Sequence, residues 1–296
     1  MTSVETAVTS AKRMTAVEVA AAAQLACLLE ASAPKPGNVS PGRHFADTRY
    51  EDFLASAAAV GEPLAGADSR PVGATVRLAI EATRRWTNAN TNLGIVLLLT
   101  PLARAAIGSP DAASAGLRET LRRVLDATTV EDARDVYAAI RLASPGGLGK
   151  ADSQDVAGEP DVTLLAAMRL AAHRDGIARE YASAFEVTFE IAAPALEQAR
   201  RDGLSWDDAI VETFLSVLAV NPDTHVARRA GAAAAEEVSE HARRTLAAGG
   251  VRSDGGRRAI EAMDRGLRDP RNLRNPGTTA DLTTAGIFVE LMRSRK

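Results

Sequence analysis

Few side chains in this sequence combine a reactive type with a fixed setting, and they gather at four interruptions of an alanine- and leucine-rich background. The first is Ala-Pro-Lys-Pro-Gly-Asn-Val-Ser-Pro-Gly-Arg-His over 33–44, with Asp47 just beyond. Prolines and glycine here fix a turn that would hold Lys35 in one place. A plain helix-to-helix connection with a solvated lysine fits equally well. The second, 87–94, reads Thr-Asn-Ala-Asn-Thr-Asn-Leu-Gly and leads into an apolar run. About one or two polar side chains suffice for a helix cap, and more than that lie here. A helix amino terminus with free N–H groups is also an anion site, so phosphate binding is open beside capping.

The third interruption, 144–159, carries Ser-Pro-Gly-Gly-Leu-Gly-Lys and then Asp152, Asp155 and Glu159. It is not a P-loop: the first glycine is missing, Ala151 replaces the Ser or Thr, and no strand pattern precedes it. A glycine-rich lid bearing carboxylates and a plain surface loop both remain. The fourth comprises Asn-Pro-Asp-Thr-His over 221–225, with Arg228 and Arg229, and Asn-Pro-Gly-Thr-Thr-Ala-Asp over 275–281. Asp223 and Asp281 at such turns are expected first as caps or helix-dipole partners. Other chemistries lack their residues. His44, His173, His225 and His241 are far apart, without a His-x-x-x-His pair for zinc. Cys27 lies in an apolar stretch, as a structural thiol would. No nucleophile-elbow serine or dinucleotide glycine motif is present. Carboxylates and asparagines at turns suit Mg²⁺ held by oxygen ligands together with the phosphates of a nucleotide.

The elements that must position these groups read as helices. Ala, Leu, Arg and Glu dominate, and almost every long segment has helical rather than alternating period. The pattern predicts helices over 17–31, 48–59 (opened by a Thr48 to Glu51 capping box), 72–87, 92–106, 115–125 and 130–142, the last capped by Thr129. Others follow over 163–173, 177–201 with a break near Pro194, 205–218, 226–247, 257–267 and 279–293. An all-α, single-domain bundle of roughly ten helices is expected over 15–296, after a flexible segment 1–14.

The chain has 296 residues, which allows one large domain without disulfides. Its net charge of −3 argues against a nucleic-acid partner. The single cysteine fits a reducing cytoplasm. Lys12 and Arg13 ahead of an apolar run imitate a signal peptide, but Glu18 and Gln24 interrupt it. The stretch 93–107 contains Pro101 and Arg104 and falls short of the ~20 residues that span a bilayer. The expectation is a cytoplasmic protein with no membrane partner; homo-oligomerisation is left open.

In order along the chain, these clusters resemble the triphosphoribosyl-dephospho-CoA synthase family. The family's glutamate-bearing helix followed by Pro-Lys-Pro-Gly is read at Glu30 and 34–37. Its Gly-x-His-x-Asp element is similar to Gly42, His44 and Asp47, with one extra residue. Its Asn-Thr-His-Lys-Gly is read at 90–94, where Asn92 and Leu93 replace the His-Lys. Asp223-Thr224-His225 with Arg229 resembles an Asp-Thr-Asn and Arg-Gly-Gly pair, and Gly277 to Leu282 resembles a Gly-x-x-Ala-Asp-Leu element.

The resemblance spans 15–293. It implies a transferase that takes a triphosphoribosyl group from ATP to dephospho-CoA and releases adenine, with Mg²⁺. It marks Glu30, Asp47 and Asp223 as catalytic, Glu30 being the candidate base. Asp47, Asp223 and Asp281 are marked as metal or sugar-facing carboxylates. Lys35, His44, Asn90, Thr91, Asn92, Thr224, Arg229 and Asp281 are the substrate-binding candidates. The Asn92-Leu93 departure implies a branch with another acceptor, such as a methanopterin-type one-carbon carrier. Mg²⁺-dependent hydrolysis of a nucleotide or ADP-ribose linkage and a helical scaffold are the alternatives.

Overall fold

The computed structural model describes residues 13–108, 115–145 and 153–294. Among these the structure is helical, with no strand beyond an isolated bridge between Ser40 and Arg43. The first helices are α1 (Ala16–Ser32), α2 (Tyr50–Ala59), α3 (Gly61–Ala65), α4 (Val72–Arg84) and α5 (Leu93–Ala106). They are followed by α6 (Ala115–Asp126), α7 (Val130–Ala143), α8 (Leu164–Ala171) and α9 (Gly176–Ser183). A π-turn (Thr188–Ala192) leads into α10 (Ala193–Arg201), then α11 (Trp206–Val220) and α12 (Thr224–Ala230). The last are α13 (Ala232–Ala247), α14 (Asp254–Leu267) and α15 (Gly277–Arg293).

Helix starts follow local capping chemistry. Thr15 and Glu18 form a reciprocal box at α1, with Thr15 Oγ1 accepting from the Glu18 amide at 3.3 Å and Glu18 accepting from the Thr15 amide at 2.9 Å. Thr129 and Asp132 do the same for α7, and Ser205 caps α11 as its sequence predicts. The Thr48 box does not form. Asp52 accepts instead from the Arg49 amide at 2.8 Å, and α2 starts at Tyr50.

The described residues hold fifteen α-helices against the twelve segments expected, because two of those segments divide and the short α3 was not anticipated. The 177–201 helix breaks a full ten residues before Pro194, where Ala184 and Phe185 take left-handed φ values of 51° and 61°. Buried Glu180 holds the break by accepting from the Val187 and Thr188 amides, both at 2.9 Å. Pro194 falls in the first turn of α10, where no hydrogen bond from its nitrogen is needed. The 226–247 helix divides at Gly231, whose φ of 94° favours glycine.

The core is centred on α15, which is buried along nearly its whole length and packs against α1, α5, α10 and α11. Leu282, Ile287, Phe288 and Val289 supply its apolar surface, and the buried Thr283 and Thr284 hydroxyls donate back to the Thr279 and Ala280 carbonyls of the same helix. Each such fully buried side chain contributes about 1.5–3 kcal/mol relative to exposure. Of the amino-terminal segment, Met14 is already packed: its carbonyl accepts from the Gly108 amide at 3.0 Å. Residues 1–12 lie outside the described residues, as do Lys150 and Asp152 of the glycine-rich stretch. No helix among the described residues is long and apolar enough to cross a membrane.

Candidate active site

The amino-terminal ends of α5, α9, α12 and α15 and the carboxyl end of α1 open onto one cavity of about 1150 Å³. Their lining residues include Gly94, Asp175, His225, Gly277 and Glu30. A helix start presents unpaired N–H groups and a partial positive charge. Here Asn90, Thr224, Asp175 and Asp223 already accept from the Leu93, Gly176, Ala178, Val226 and Thr279 amides, so the four starts bring to the space mainly their partial positive charge. Arg141, Arg174, Arg228 and Arg229 line the same cavity and add full positive charge. Ile140, Leu164, Met168 and Leu170 form an apolar wall from α7 and α8.

Asp281 lies on the polar side of this space. Among the described residues no donor bonds its carboxylate, and burial together with the charges of Glu30 and Asp223 pushes its pKa well above the usual carboxylate range. Gly94 makes room for it: a Cβ there would stand 2.1 Å from Asp281 Oδ2. Close by, burial raises Glu30, whereas the Lys35 ammonium at 3.1 Å opposes that shift. His225 completes the group. Burial and then Arg228 and Arg229 lower its pKa to about 4, so the ring is uncharged at neutral pH. Gly277 leaves space for it, since a Cβ there would meet His225 Nδ1 at 2.3 Å.

The structure brings Glu30, Asp47, Asn90, Thr91, Asn92, Arg229 and Asp281 together on this cavity. Asn90 Oδ1 accepts from the Leu93 amide at 3.3 Å, and Asn92 Nδ2 donates to Thr83 Oγ1 at 2.9 Å. Thr91 is hydrogen-bonded to Ser56. The capping reading of this cluster therefore holds at Asn90, and the same turn lines the cavity. Asp47 sits exposed at the rim, accepting from Thr48 Oγ1 at 3.2 Å.

Four expected site residues are placed elsewhere. Lys35 is 1% exposed, and its ammonium is enclosed by the Glu30 and Ala33 carbonyls and the Glu30 carboxylate. It positions Glu30 instead of meeting phosphate. His44 is an exposed cap, with Nδ1 accepting from the Tyr50 amide at 3.2 Å. Asp223 is fully buried and caps α12 through the Val226 amide at 3.0 Å; its second oxygen accepts from both the Thr279 amide and hydroxyl at 2.7 Å. Thr224 accepts from the Gly176 amide at 3.0 Å and pairs with the Thr278 hydroxyl at 3.1 Å. Asp223 and Thr224 therefore clamp α9, α12 and α15 together behind the cavity. Asp47, Asp223 and Asp281 do not converge as a metal cage: among the described residues no group of three or more His, Cys, Asp or Glu does.

Sequence reasoning passed over other lining residues. Asp175 caps α9 through the Ala178 amide at 3.0 Å and takes Arg228 as its ion-pair partner at 2.5 Å. Asn38 Nδ2, Asn275 Oδ1 and Arg228 Nε are buried with no hydrogen-bond partner, and all three residues line the cavity. Asn38, Asn275 and His225 fall inside the four clusters, so their neighbourhood was readable; their unpaired state was not.

An all-helical domain with a large, mixed-charge cavity at converging helix starts is the class that this geometry defines. Comparison with known proteins gives the family: the chain belongs to the ATP:dephospho-CoA triphosphoribosyl transferase family, whose model matches residues 16–296. A 2-(5″-triphosphoribosyl)-3′-dephosphocoenzyme-A synthase from Pectobacterium atrosepticum is 38% identical over 107 residues, which is 36% of this chain and 33% of that protein. A provisionally named relative from Stutzerimonas stutzeri is 27% identical over 210 residues, 71% of this chain and 63% of its own length. The aligned stretches cover 32–38% of the length of the curated relatives first matched. A crystal structure from Archaeoglobus fulgidus, provisionally named triphosphoribosyl-dephospho-CoA synthase, superposes with a TM-score of 0.64 and 28% identity. It covers 82% of this chain and 99% of that one.

Proposed function

We propose that this protein transfers the triphosphoribosyl group of ATP to a hydroxyl of a nucleotide-like acceptor, dephospho-CoA or a relative of it, with release of adenine. The observation that carries the reading is the half-buried Asp281 carboxylate, which lies beside Glu30 with no hydrogen-bond donor among the described residues, in a cavity whose rim attracts anions. Such a carboxylate favours the arrival of positive charge. Ribosyl transfer supplies it, because the sugar becomes cation-like as the bond to adenine stretches. Groups that gain more in the transition state than in the ground state are the ones that accelerate a reaction.

The remaining roles follow from position. The helix starts with Arg228 and Arg229 receive the triphosphate. Glu30, kept ionisable by Lys35, accepts the proton of the attacking hydroxyl as the new C–O bond forms. His225, uncharged, offers hydrogen bonds to the departing base or the ribose. Mg²⁺ arrives with the triphosphate as part of the substrate, and such an ion is held by about one or two protein carboxylates plus phosphate. Asp47 and Asp281 have oxygens to offer it, whereas those of Asp223 are already occupied. The α7–α8 wall suits an uncharged arm of the acceptor.

Incubation with MgATP and dephospho-CoA, followed by chromatography, tests this reading. Adenine should form in step with a ribosylated acceptor. Release of ADP or phosphate without adenine would overturn transfer.

A further inference from the structure

The turn between α8 and α9 divides the main cavity into two sides. Its backbone is held from within: the Arg174 and Asp175 amides donate to the Ala171 carbonyl at 3.0 and 3.1 Å, and Asp175 Oδ1 caps α9 through the Ala178 amide. The two neighbouring side chains serve opposite sides. Asp175 meets Arg228 of α12 at 2.5 Å, and both charges are felt by Asp281. Arg174 acts instead on the Tyr137 phenol of α7, where burial and then Asp155 raise the pKa and Arg174 lowers it. The volume suits two occupants, since about 1150 Å³ exceeds the about 300–1,000 Å³ usual for one small ligand.

The arginines lining this cavity differ in what they hold. Arg141 donates to the Val156 and Gly158 carbonyls at 2.8 and 3.3 Å, and Arg229 donates to the Arg271 carbonyl at 2.7 Å. Arg228 has Asp175. The Arg174 guanidinium has no hydrogen bond or ion pair among the described residues. The acids on its side are engaged with their own loop. Asp155 Oδ1 accepts from the Ala157 amide at 2.8 Å, and Asp161 Oδ1 accepts from Gln154 Nε2 at 2.6 Å. Beside Arg174 stands the apolar wall of Ile140, Met168 and Leu170, the last 51% exposed toward solvent. A free guanidinium fork on a fixed turn next to an apolar wall matches a phosphate joined to an uncharged arm.

We infer that Arg174 selects the acceptor: its guanidinium holds the acceptor's diphosphate while Ile140, Met168 and Leu170 receive the uncharged arm. The inference rests on the transfer reading for the presence of an acceptor, and it leaves the triphosphate of the donor to Arg228 and Arg229. The test is calorimetric titration of the full chain and of its Arg174→Gln variant, with dephospho-CoA and separately with MgATP. Arg174→Gln should raise the dissociation constant of dephospho-CoA by about tenfold or more and leave that of MgATP within about twofold. A dephospho-CoA affinity unmoved by Arg174→Gln overturns the assignment. So does an equal loss for both ligands, or an unaltered protein that does not bind dephospho-CoA. Adenine release by the same proteins separates the two readings. Binding that depends on Arg174 without adenine release would keep the acceptor site and remove transfer, whereas adenine release with an affinity indifferent to Arg174 would do the reverse.

Discussion

Asp223 and Asp281 sit on adjoining helices, in the two Asn-Pro clusters, and burial raises the pKa of both. They differ in what surrounds the carboxylate. Asp223 accepts from the Val226 amide and from the amide and hydroxyl of Thr279, and so ties α12 to α15. Asp281 accepts from no donor among the described residues and faces the cavity with Glu30. The contrast separates a carboxylate that holds the fold from one that faces the cavity. It also divides the family-like motif residues into a clamp behind the cavity and a polar surface lining it.

The largest stability effect expected on the structural side is at Lys35. Lys35→Met leaves Glu30 buried without its partner and should cost about 3–5 kcal/mol in urea unfolding. Much of that loss should return in the Glu30→Gln/Lys35→Met double variant. Asp223→Ala removes a cap and the link to Thr279. It should cost about 2–4 kcal/mol, with activity falling only as far as the folded fraction does.

His225 sharpens the comparison through pH. Its folded pKa of about 4 lies below the ordinary histidine value of 6.5, so protons bind the unfolded chain more tightly. The stability linked to this group is present above pH 6.5 and is lost as pH falls toward 4. His225→Asn should remove that dependence, narrowing the difference by about 3 kcal/mol at pH 4. Unfolding of both proteins across this range measures it, and contributions shared by the carboxylates cancel. The smallest effect is at Gly94. Gly94→Ala should cost about 1–3 kcal/mol through crowding, yet reduce adenine release more than stability by displacing Asp281.

The helical class was legible because period and propensity agreed along most of the chain. Thr15, Thr129 and Ser205 act through local side-chain geometry, so their caps could be anticipated or recognised from neighbours. The break at Ala184 could not: it depends on Glu180 being buried and reaching Val187 and Thr188, a tertiary circumstance. The same limit applies at the site. The family-like motifs marked Glu30, Asp47, the 90–92 turn and Asp281, but they could not tell that Lys35 turns inward to Glu30. Nor could they separate Asp223 from Asp281, because the Thr279 amide and hydroxyl that engage Asp223 come from another helix, while Asp281 meets no donor among the described residues.

The rate of adenine formation by Asp281→Asn, measured beside its unfolding curve and its MgATP-dependent shift in Tm, tests the division most directly. The account predicts unchanged or greater stability, an MgATP shift that is reduced but not lost because Asp47 also offers oxygen to Mg²⁺, and a rate lower by about 10²–10³-fold. A rate near that of the unaltered protein, or one lowered only in proportion to a loss of folded protein, would contradict it.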